Sequence, residues 1–269
     1  MDHHFQVDTP LQVSVKVLNA RVEVGPADEG TATCVVQPLD PTHDASVQLA
    51  ASAGVHLRGN RLEVTVREAG PALREAELLV RLGLPARSGL AVHAGKASIH
   101  VRGGLDVLEA RLGAGDVAAD TVDRTLTVKA GQVDVTVIRA GKVSLAAGQA
   151  ILRAQRVRDT DFKAAHGKVE LGRTDGNVVA KGAAVDLVVR AAGQGAVDFQ
   201  AVTGSARVAV VAGTAVQLDL TSATGSVRCE LPHESDLRRG DVGLKLRLRS
   251  GTGDLVVTSA AAAEGDTAG

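Results

Sequence analysis

The stretch LTVKAGQVDVTVIRAGKVSLAAG, from Leu126 to Gly148, alternates apolar and polar residues, stops at a glycine and then starts again. Alternation over several residues predicts a β-strand with one buried face. Glycine permits a sharp backbone turn because it has no Cβ atom to clash. A strand this short cannot bury its apolar face alone, so we expect the next strand to stack on it at the usual spacing of about 4.8 Å.

The same punctuation recurs through the second part of the chain. A small or turn residue is followed by glycine, a polar or small residue and usually a β-branched residue, as in AGDV at Gly115, AGQV at Gly131, HGKV at Gly167 and TGDL at Gly253. The copies recur at full steps of roughly 18 residues, with some half steps, and such a repeat is typical of a solenoid, in which each coil covers its neighbour.

Proline and glycine divide the chain into parts. Six of the seven prolines precede Ala86, whereas 22 of the 30 glycines lie in residues 88–258. Proline cannot donate to a sheet ladder, so its absence between Ala86 and Leu231 favours strands that are paired on both sides. The composition predicts an all-β protein with a short β-strand capping module over residues 1–87, a β-solenoid over residues 88–258 and a disordered tail over residues 259–269.

The solenoid is expected to be β-helix-like and single-stranded, with coils of about 16–20 residues. Irregular spacing of the glycines leaves an antiparallel β-sandwich or barrel open as the alternative. Period-2 patterns in the capping module predict strands within residues 11–17, 21–26, 61–68 and 77–85. In the solenoid the inward positions include Val133, Val135, Val169, Leu171, Val185, Leu187, Val189, Val197, Phe199, Val216, Leu218, Leu220, Val227 and Cys229.

Charge and composition exclude several function classes. The 30 basic and 31 acidic residues give a net charge of −1, which provides no basic field for nucleic acid. Aromatic residues are 1% of the chain, which disfavours stacking on bases or sugar rings. The N-terminus, MDHHFQVDTP, has no basic and apolar signal pattern, and no apolar run approaches the roughly 20 residues of a membrane span, so we expect a cytoplasmic protein. Cys34 and Cys229 are expected to be buried free thiols.

These features resemble the bacterial "putative adhesin" family of β-strand-repeat proteins, a family of unknown function. The resemblance covers about residues 5–258. It rests on the opening FQVDTPLQVSVKVLNARVEV, the repeated glycine units, VRCELP and the final LRSGTGDLVV. Asn19 matches the turn that the family usually places after its first strand, but Ala20 stands where glycine is usual. The family name implies adhesion. The N-terminus shows no signal pattern for secretion, which argues against that role.

No pattern for catalysis, a metal or a cofactor is present. His93 and His100 flank Gly95, but no cysteine or carboxylate follows at ligand spacing. Asp116, Asp134 and Asp254 could align at one corner of stacked coils, where a glycosidase or lyase would need paired carboxylates. Their counterparts in other repeats are simply polar or small, which is typical of a solvated corner. The sequence therefore predicts no enzyme, no metal site and no cofactor.

A basic stripe is the one candidate docking site. Lys245, Arg247 and Arg249 share one face of a predicted strand, and Arg238 and Arg239 lie nearby. One interpretation is protection of an open sheet edge from aggregation. The other is docking to an acidic partner.

The leading hypothesis is a non-enzymatic β-solenoid scaffold for protein interaction or self-assembly, acting through its ends or sheet faces. It implies no nucleic-acid partner and no membrane span. The alternatives are a carbohydrate-binding or carbohydrate-active β-helix and a surface adhesin.

Overall fold

A computed structural model of the chain describes residues 2–66, 76–231 and 243–260. The protein is all-β, with 78% of its residues in strands and 3% in helix, and the sheet is open, not closed on itself. Within the described ranges the strands in chain order are β1 (Asp2–Gln6), β2 (Gln12–Lys16), β3 (Asn19–Pro26), β4 (Thr31–Pro38), β5 (Gly54–Arg58), β6 (Arg61–Thr65), β7 (Leu78–Leu84), β8 (Gly89–Thr174), β9 (Asn177–Ala192), β10 (Gly195–Thr203), β11 (Ala206–Val210), β12 (Val216–Thr224), β13 (Val227–Glu230), β14 (Leu244–Thr252) and β15 (Leu255–Ser259).

The chain divides into two compact units. The first comprises residues 1–141 and 146–148, and the second comprises residues 142–145 and 149–269. The boundary predicted between residues 87 and 88 stays a prediction, as does the disordered tail, whose residues 261–269 lie outside the described ranges.

The first unit begins with short strands, as the alternation predicts. β2, β3, β6 and β7 lie within or closely overlap the four stretches expected to be strands. β2 and β3 pair in parallel with the start of β8, and their other edges pair in parallel with β6 and β7. Beyond these, β5 pairs antiparallel with β6, and β4 and then β1 continue antiparallel from β7. The unit therefore changes from parallel to antiparallel pairing at its outer strands.

A single helix was not predicted from the sequence. Within the described residues α1 (Asp44–Ala51) is the one α-helix, and it packs against β4 and β7, with Leu49 and Ala50 buried. His43 precedes it, and its ring Nδ1 lies 2.9 Å from the Ser46 hydroxyl. The apolar positions are too few for a strong helical pattern, which explains why the sequence did not reveal the helix.

The rest of the first unit belongs mostly to β8 and shows a regular spacing of glycines. A side chain at Gly131 would meet the carbonyl oxygen of Gly113, and one at Gly113 would meet that of Gly95, so the two contacts span equal lengths of sequence. Backbone thus lies directly on backbone at these positions. Only glycine fits there, because a Cβ atom would occupy the place of the neighbouring carbonyl.

The second unit has the same spacing, expressed as strand register. β8 pairs in parallel with β9 at a constant offset, from Thr160↔Val178 to Thr174↔Ala192. β9 pairs in parallel with β10 at an offset longer by one position, as in Ala196↔Asn177. Both offsets fall within the length predicted for one repeat.

The last strands of the chain do not follow sequence order. β14 lies between β10 and β12 and pairs in parallel with both, and β15 likewise lies between β11 and β13. The last two strands in the chain, β14 and β15, therefore lie inside the sheet, and the strands that precede them, β12 and β13, lie outside them. We call β12 and β13 the outermost repeat, because each has a partner strand on only one side among the described residues.

Burial confirms most of the predicted inward positions. Nine of them are buried at 0–3% exposure: Val133, Val135, Val169, Leu171, Val185, Leu187, Val189, Val197 and Phe199. The remaining five belong to the outermost repeat and are not buried: Val216, Leu218, Leu220, Val227 and Cys229. For these five the prediction of burial is wrong, because no described strand covers the repeat that carries them.

Candidate interaction surface

The stripe Lys245, Arg247 and Arg249 lies on β14, with the side chains alternating with the buried Leu244, Leu246 and Leu248. This confirms the predicted alternation. Arg238 and Arg239 lie outside the described residues. Edge protection is the wrong interpretation of the stripe, because β14 has a parallel partner on each side.

Aspartates flank the stripe in register. Arg247 stands directly beside Asp198 of β10 and Asp219 of β12. Its Nε lies 3.4 Å from the Asp219 carboxylate, and Arg249 donates to the same oxygen at 3.0 Å. These side chains are about half exposed, so the pairs contribute little to stability. The single Asp219 carboxylate thus contacts two of the three cations of the stripe.

Lys245 differs from the two arginines in its register neighbours. They are Ala196 and Gln217, and neither carries a charge. A shallow groove of about 330 Å³ runs beside it, lined among others by Gln217, Asp219 and Arg247. The surface therefore offers one cation without a carboxylate beside it in register, next to a network of mixed charge. Such a surface suits a polar partner more than a small buried ligand.

A second groove lies in the first unit and has a volume of about 600 Å³. Part of its charged lining is paired, because Glu23 accepts from Arg81 at 3.1 Å and lies 3.3 Å from Arg21. Ile138 contributes an exposed apolar side chain, at 46% exposure.

Asp116, a candidate corner carboxylate, lies between a hydroxyl and an imidazole. Ser98 Oγ donates to Asp116 Oδ2 at 2.9 Å, and His100 Nε2 lies 3.4 Å from the same oxygen. In a nucleophilic triad the histidine contacts the serine and the aspartate orients the histidine. Here the carboxylate stands in the middle, so the three residues form a surface hydrogen-bond cluster and not a triad.

Asp254, another candidate, holds a corner of the second unit. Its Oδ1 accepts the Ser226 backbone N–H and the Ser226 hydroxyl, each at 2.8 Å. These hydrogen bonds, the backbone one first, hold the pKa of Asp254 below its usual range. The Asp254 N–H in turn donates to Ser205 Oγ at 3.1 Å, and the Ser205 N–H donates to Asp186 Oδ1 at 2.8 Å. This corner ladder (Asp186, Ser205, Asp254 and Ser226) runs from one repeat to the next.

The corner ladder explains why short polar residues follow the repeated glycines. A carboxylate or hydroxyl directly after the glycine accepts a hydrogen bond from a backbone N–H of the neighbouring repeat. Without it, that N–H would have only water as a partner. Asp134, the third candidate, also has an interaction partner. Asp116 and Asp254 therefore link chain segments that lie far apart in sequence, a role that their interpretation as solvated corners did not identify.

The two cysteines lie in different environments. Cys34 is buried in β4, and burial raises the pKa of its thiol to about 11. Cys229 is exposed on β13. Both are free, as predicted, but burial is confirmed only for Cys34, because β13 belongs to the outermost repeat.

The described part of the chain offers no metal cluster and no membrane helix. Among its residues, no group of three or more His, Cys, Asp or Glu side chains could hold a metal ion. In the same ranges no helix has the length and apolarity to cross a membrane.

No protein-family model matches the chain, and no curated protein matches it in sequence. Among solved structures, the chain aligns with a "putative adhesin" from Parabacteroides merdae at 8% identity and a TM-score of 0.42, over 96% of this chain and 95% of that one. A "putative adhesin" from Bacteroides fragilis aligns at 12% identity and a TM-score of 0.40, over 96% of each chain. A "putative lipid binding protein" from Parabacteroides distasonis aligns at 12% identity and a TM-score of 0.37, over 95% of this chain and 96% of that one. Two of these names match the family that the sequence resembles, but such low TM-scores carry no weight for the role of this chain.

Proposed function

We propose that the chain is a non-enzymatic β-solenoid scaffold for protein interaction or self-assembly. The observation that carries the proposal is the use of its surface carboxylates. Asp254 and Asp186 accept backbone N–H groups of the neighbouring repeat, and Asp219 pairs with two arginines. Acid–base catalysis needs ionisable groups that are free to exchange protons with a substrate, whereas these carboxylates are held by backbone N–H groups or by arginines of the neighbouring strand.

The solenoid form is supported separately in each unit. In the second unit, parallel pairing at nearly constant offsets from β8 through β9 to β10 supports stacking of successive repeats. Glycine contacts at equal intervals indicate the same stacking in the first unit. A stack of this kind presents long faces of alternating polar side chains, which are suited to contacts with another protein.

The basic stripe is the proposed docking face of this scaffold. Lys245 is the residue expected to contribute most, because its register neighbours carry no charge, whereas Arg247 and Arg249 are already paired with Asp219. An acidic partner would gain from Lys245 directly, and would compete with Asp219 for the two arginines.

The proposal is tested by affinity capture from the native host with purified chain as bait. Bait carrying Lys245→Glu and Arg249→Glu is compared with the wild type and with Arg207→Glu, a matched reversal on the exposed face of β11. We expect a protein captured by the wild type and by Arg207→Glu to be lost from the double variant, and to rebind less tightly at high salt. The docking proposal is wrong if all three baits capture the same proteins. The scaffold proposal as a whole is wrong if nothing is captured and the chain also remains monomeric.

A further inference from the structure

The outermost repeat exposes side chains that belong to a core. Leu218 lies in register with Leu246 on the adjacent strand, and side chains in register on parallel strands point to the same side. Leu246 is 1% exposed and Leu218 is 39% exposed. In the same way Val227, at 46% exposure, lies in register with Leu255, at 0%. The repeat therefore has an inward apolar row that is left open to solvent.

The backbone of the outermost repeat is open on the same side. β12 pairs with β14 and β13 pairs with β15, and no described strand pairs with their other edges. An apolar row beside unpaired backbone groups is the arrangement that another strand completes. The two strands together offer Val216, Leu218, Leu220, Val227 and Cys229 to such a strand.

We infer that a second copy of this chain covers the outermost repeat in a two-fold symmetric dimer. The inference rests on the proposed scaffold function and names its partner. In a symmetric contact that pairs β13 with its own copy, the two strands run antiparallel. Pairing centred on Cys229 then places Arg228 of each copy opposite Glu230 of the other, which gives two complementary charge pairs. A four-residue strand with opposite charges on either side of Cys229 is thus complementary to itself.

The two segments of the second unit that lie outside the described residues are less suited to cover this surface. Residues 232–242, PHESDLRRGDV, contain only two large aliphatic residues, Leu237 and Val242, and residues 261–269 contain none. A second copy brings the same apolar row that it covers. The outer strands of the first unit are antiparallel and α1 packs on β4 there, so they offer a different edge from β12. Contact between the same edge of two copies gives a closed dimer, whereas contact between two different edges would give an open-ended chain of copies.

The first test is size-exclusion chromatography with light scattering over a hundredfold concentration range. We expect a shift from the 27.5 kDa monomer to a species of twice that mass, and no further growth. Leu218→Asp and Val227→Asp should each abolish the dimer. Thr221→Asp should retain it, because Thr221 lies on the opposite face of the same strand as Leu218. Circular dichroism of each variant verifies that it is folded.

The second test is charge exchange on β13. Arg228→Glu and Glu230→Arg each place like charges opposite one another and should raise the dimer dissociation constant roughly tenfold. The double variant restores two opposite-charge pairs and should recover the wild-type constant. A charge pair within one chain would instead change the stability of the dilute monomer and leave the dimer dissociation constant unchanged. In parallel, a short bis-maleimide should join two wild-type chains through Cys229, and Cys229→Ser should prevent the link.

Three outcomes overturn the inference. A monomer at every concentration whose Cys229 reacts freely with maleimide means that the repeat stays uncovered. A monomer whose Cys229 is protected means that another part of the same chain covers it. Species that keep growing with concentration mean contact between unlike edges. None of these depends on the basic stripe. Capture of a partner through Lys245 would still support the scaffold proposal, and a dimer without such capture would support self-assembly but not docking through the stripe.

Discussion

Leu246 and Leu218 are the same residue type in adjacent register positions, so they provide a matched pair of substitutions. Leu246 is 1% exposed, and truncating such a buried leucine to alanine costs about 2–5 kcal/mol, because the change removes apolar burial and leaves a cavity. Leu218 is 39% exposed, so about three fifths of its surface is buried. Full burial of a leucine contributes about 1.5–3 kcal/mol. Leu218→Ala opens no enclosed cavity and should therefore cost only about 1 kcal/mol.

The assay is urea unfolding followed by circular dichroism, at concentrations where the chain is monomeric. We expect Leu246→Ala to lower the free energy of unfolding by about 2 kcal/mol more than Leu218→Ala does. When the concentration is raised into the dimer range, the cost of Leu218→Ala should grow, because a second copy would then bury that side chain. Equal costs for both variants in the dilute monomer would refute the reasoning, since Leu218 would then be fully buried within its own chain.

Three further predictions concern the repeat corners and the thiols. Gly253→Ala should lower the melting temperature far more than Gly213→Ala. Both glycines have positive φ, +147° for Gly253 and +77° for Gly213. Of these two, only Gly253 would bring an added Cβ atom against a neighbouring backbone carbonyl, that of Gly204. The pKa of Asp254 is lowered in the folded state, so its stabilising effect should be present above the unfolded-state pKa and disappear as the pH falls through the folded-state pKa. Asp254→Asn should therefore be less stable than the wild type at pH 7, and thermal melts at acid pH should show this difference in stability closing. A difference that persists below pH 2 would contradict the prediction. Finally, Ellman's reagent at pH 8 should modify one thiol per chain in the dilute native protein and two after unfolding. The reason is that burial raises the pKa of Cys34 to about 11, whereas Cys229 is exposed. Two fast-reacting thiols in the native protein would show that Cys34 is not buried.

Local patterns predicted many of the strands and most of the core, although β1, β4 and β5 were not predicted. Val133, Val135 and Phe199 were assigned inward from alternation alone, and all three are buried. Alternation succeeds because successive side chains on a strand point to opposite faces, whichever strand lies beside it. The spacing of the glycines likewise predicted the register offset between β8, β9 and β10, since backbone-to-backbone contact requires glycine at fixed intervals.

The candidate sites were predicted less well. The basic residues on β14 were correctly placed on one face, but their aspartate neighbours come from β10 and β12, and the sequence contains no sign of that pairing. The role of Asp254 was also missed, because its partner Ser226 is 28 residues away. The exposure of Cys229 follows from the position of its whole repeat and not from its own neighbours.

The sequence by itself determined that this chain forms β-strands, which residues face inward along most of them, and the offset between the paired strands β8, β9 and β10, because each of these depends on local alternation and on glycine. Only the tertiary structure decided the order of the repeats. β12 and β14 carry the same alternation of leucines with polar residues, so either could pair with β10. Parallel pairing requires a long connection in any case, and a longer loop adds little entropic cost, so nothing local forbids β14 from being inserted ahead of β12. That insertion buries the leucines of β14, leaves those of β12 at the surface, and creates the open row at which we propose that two copies meet.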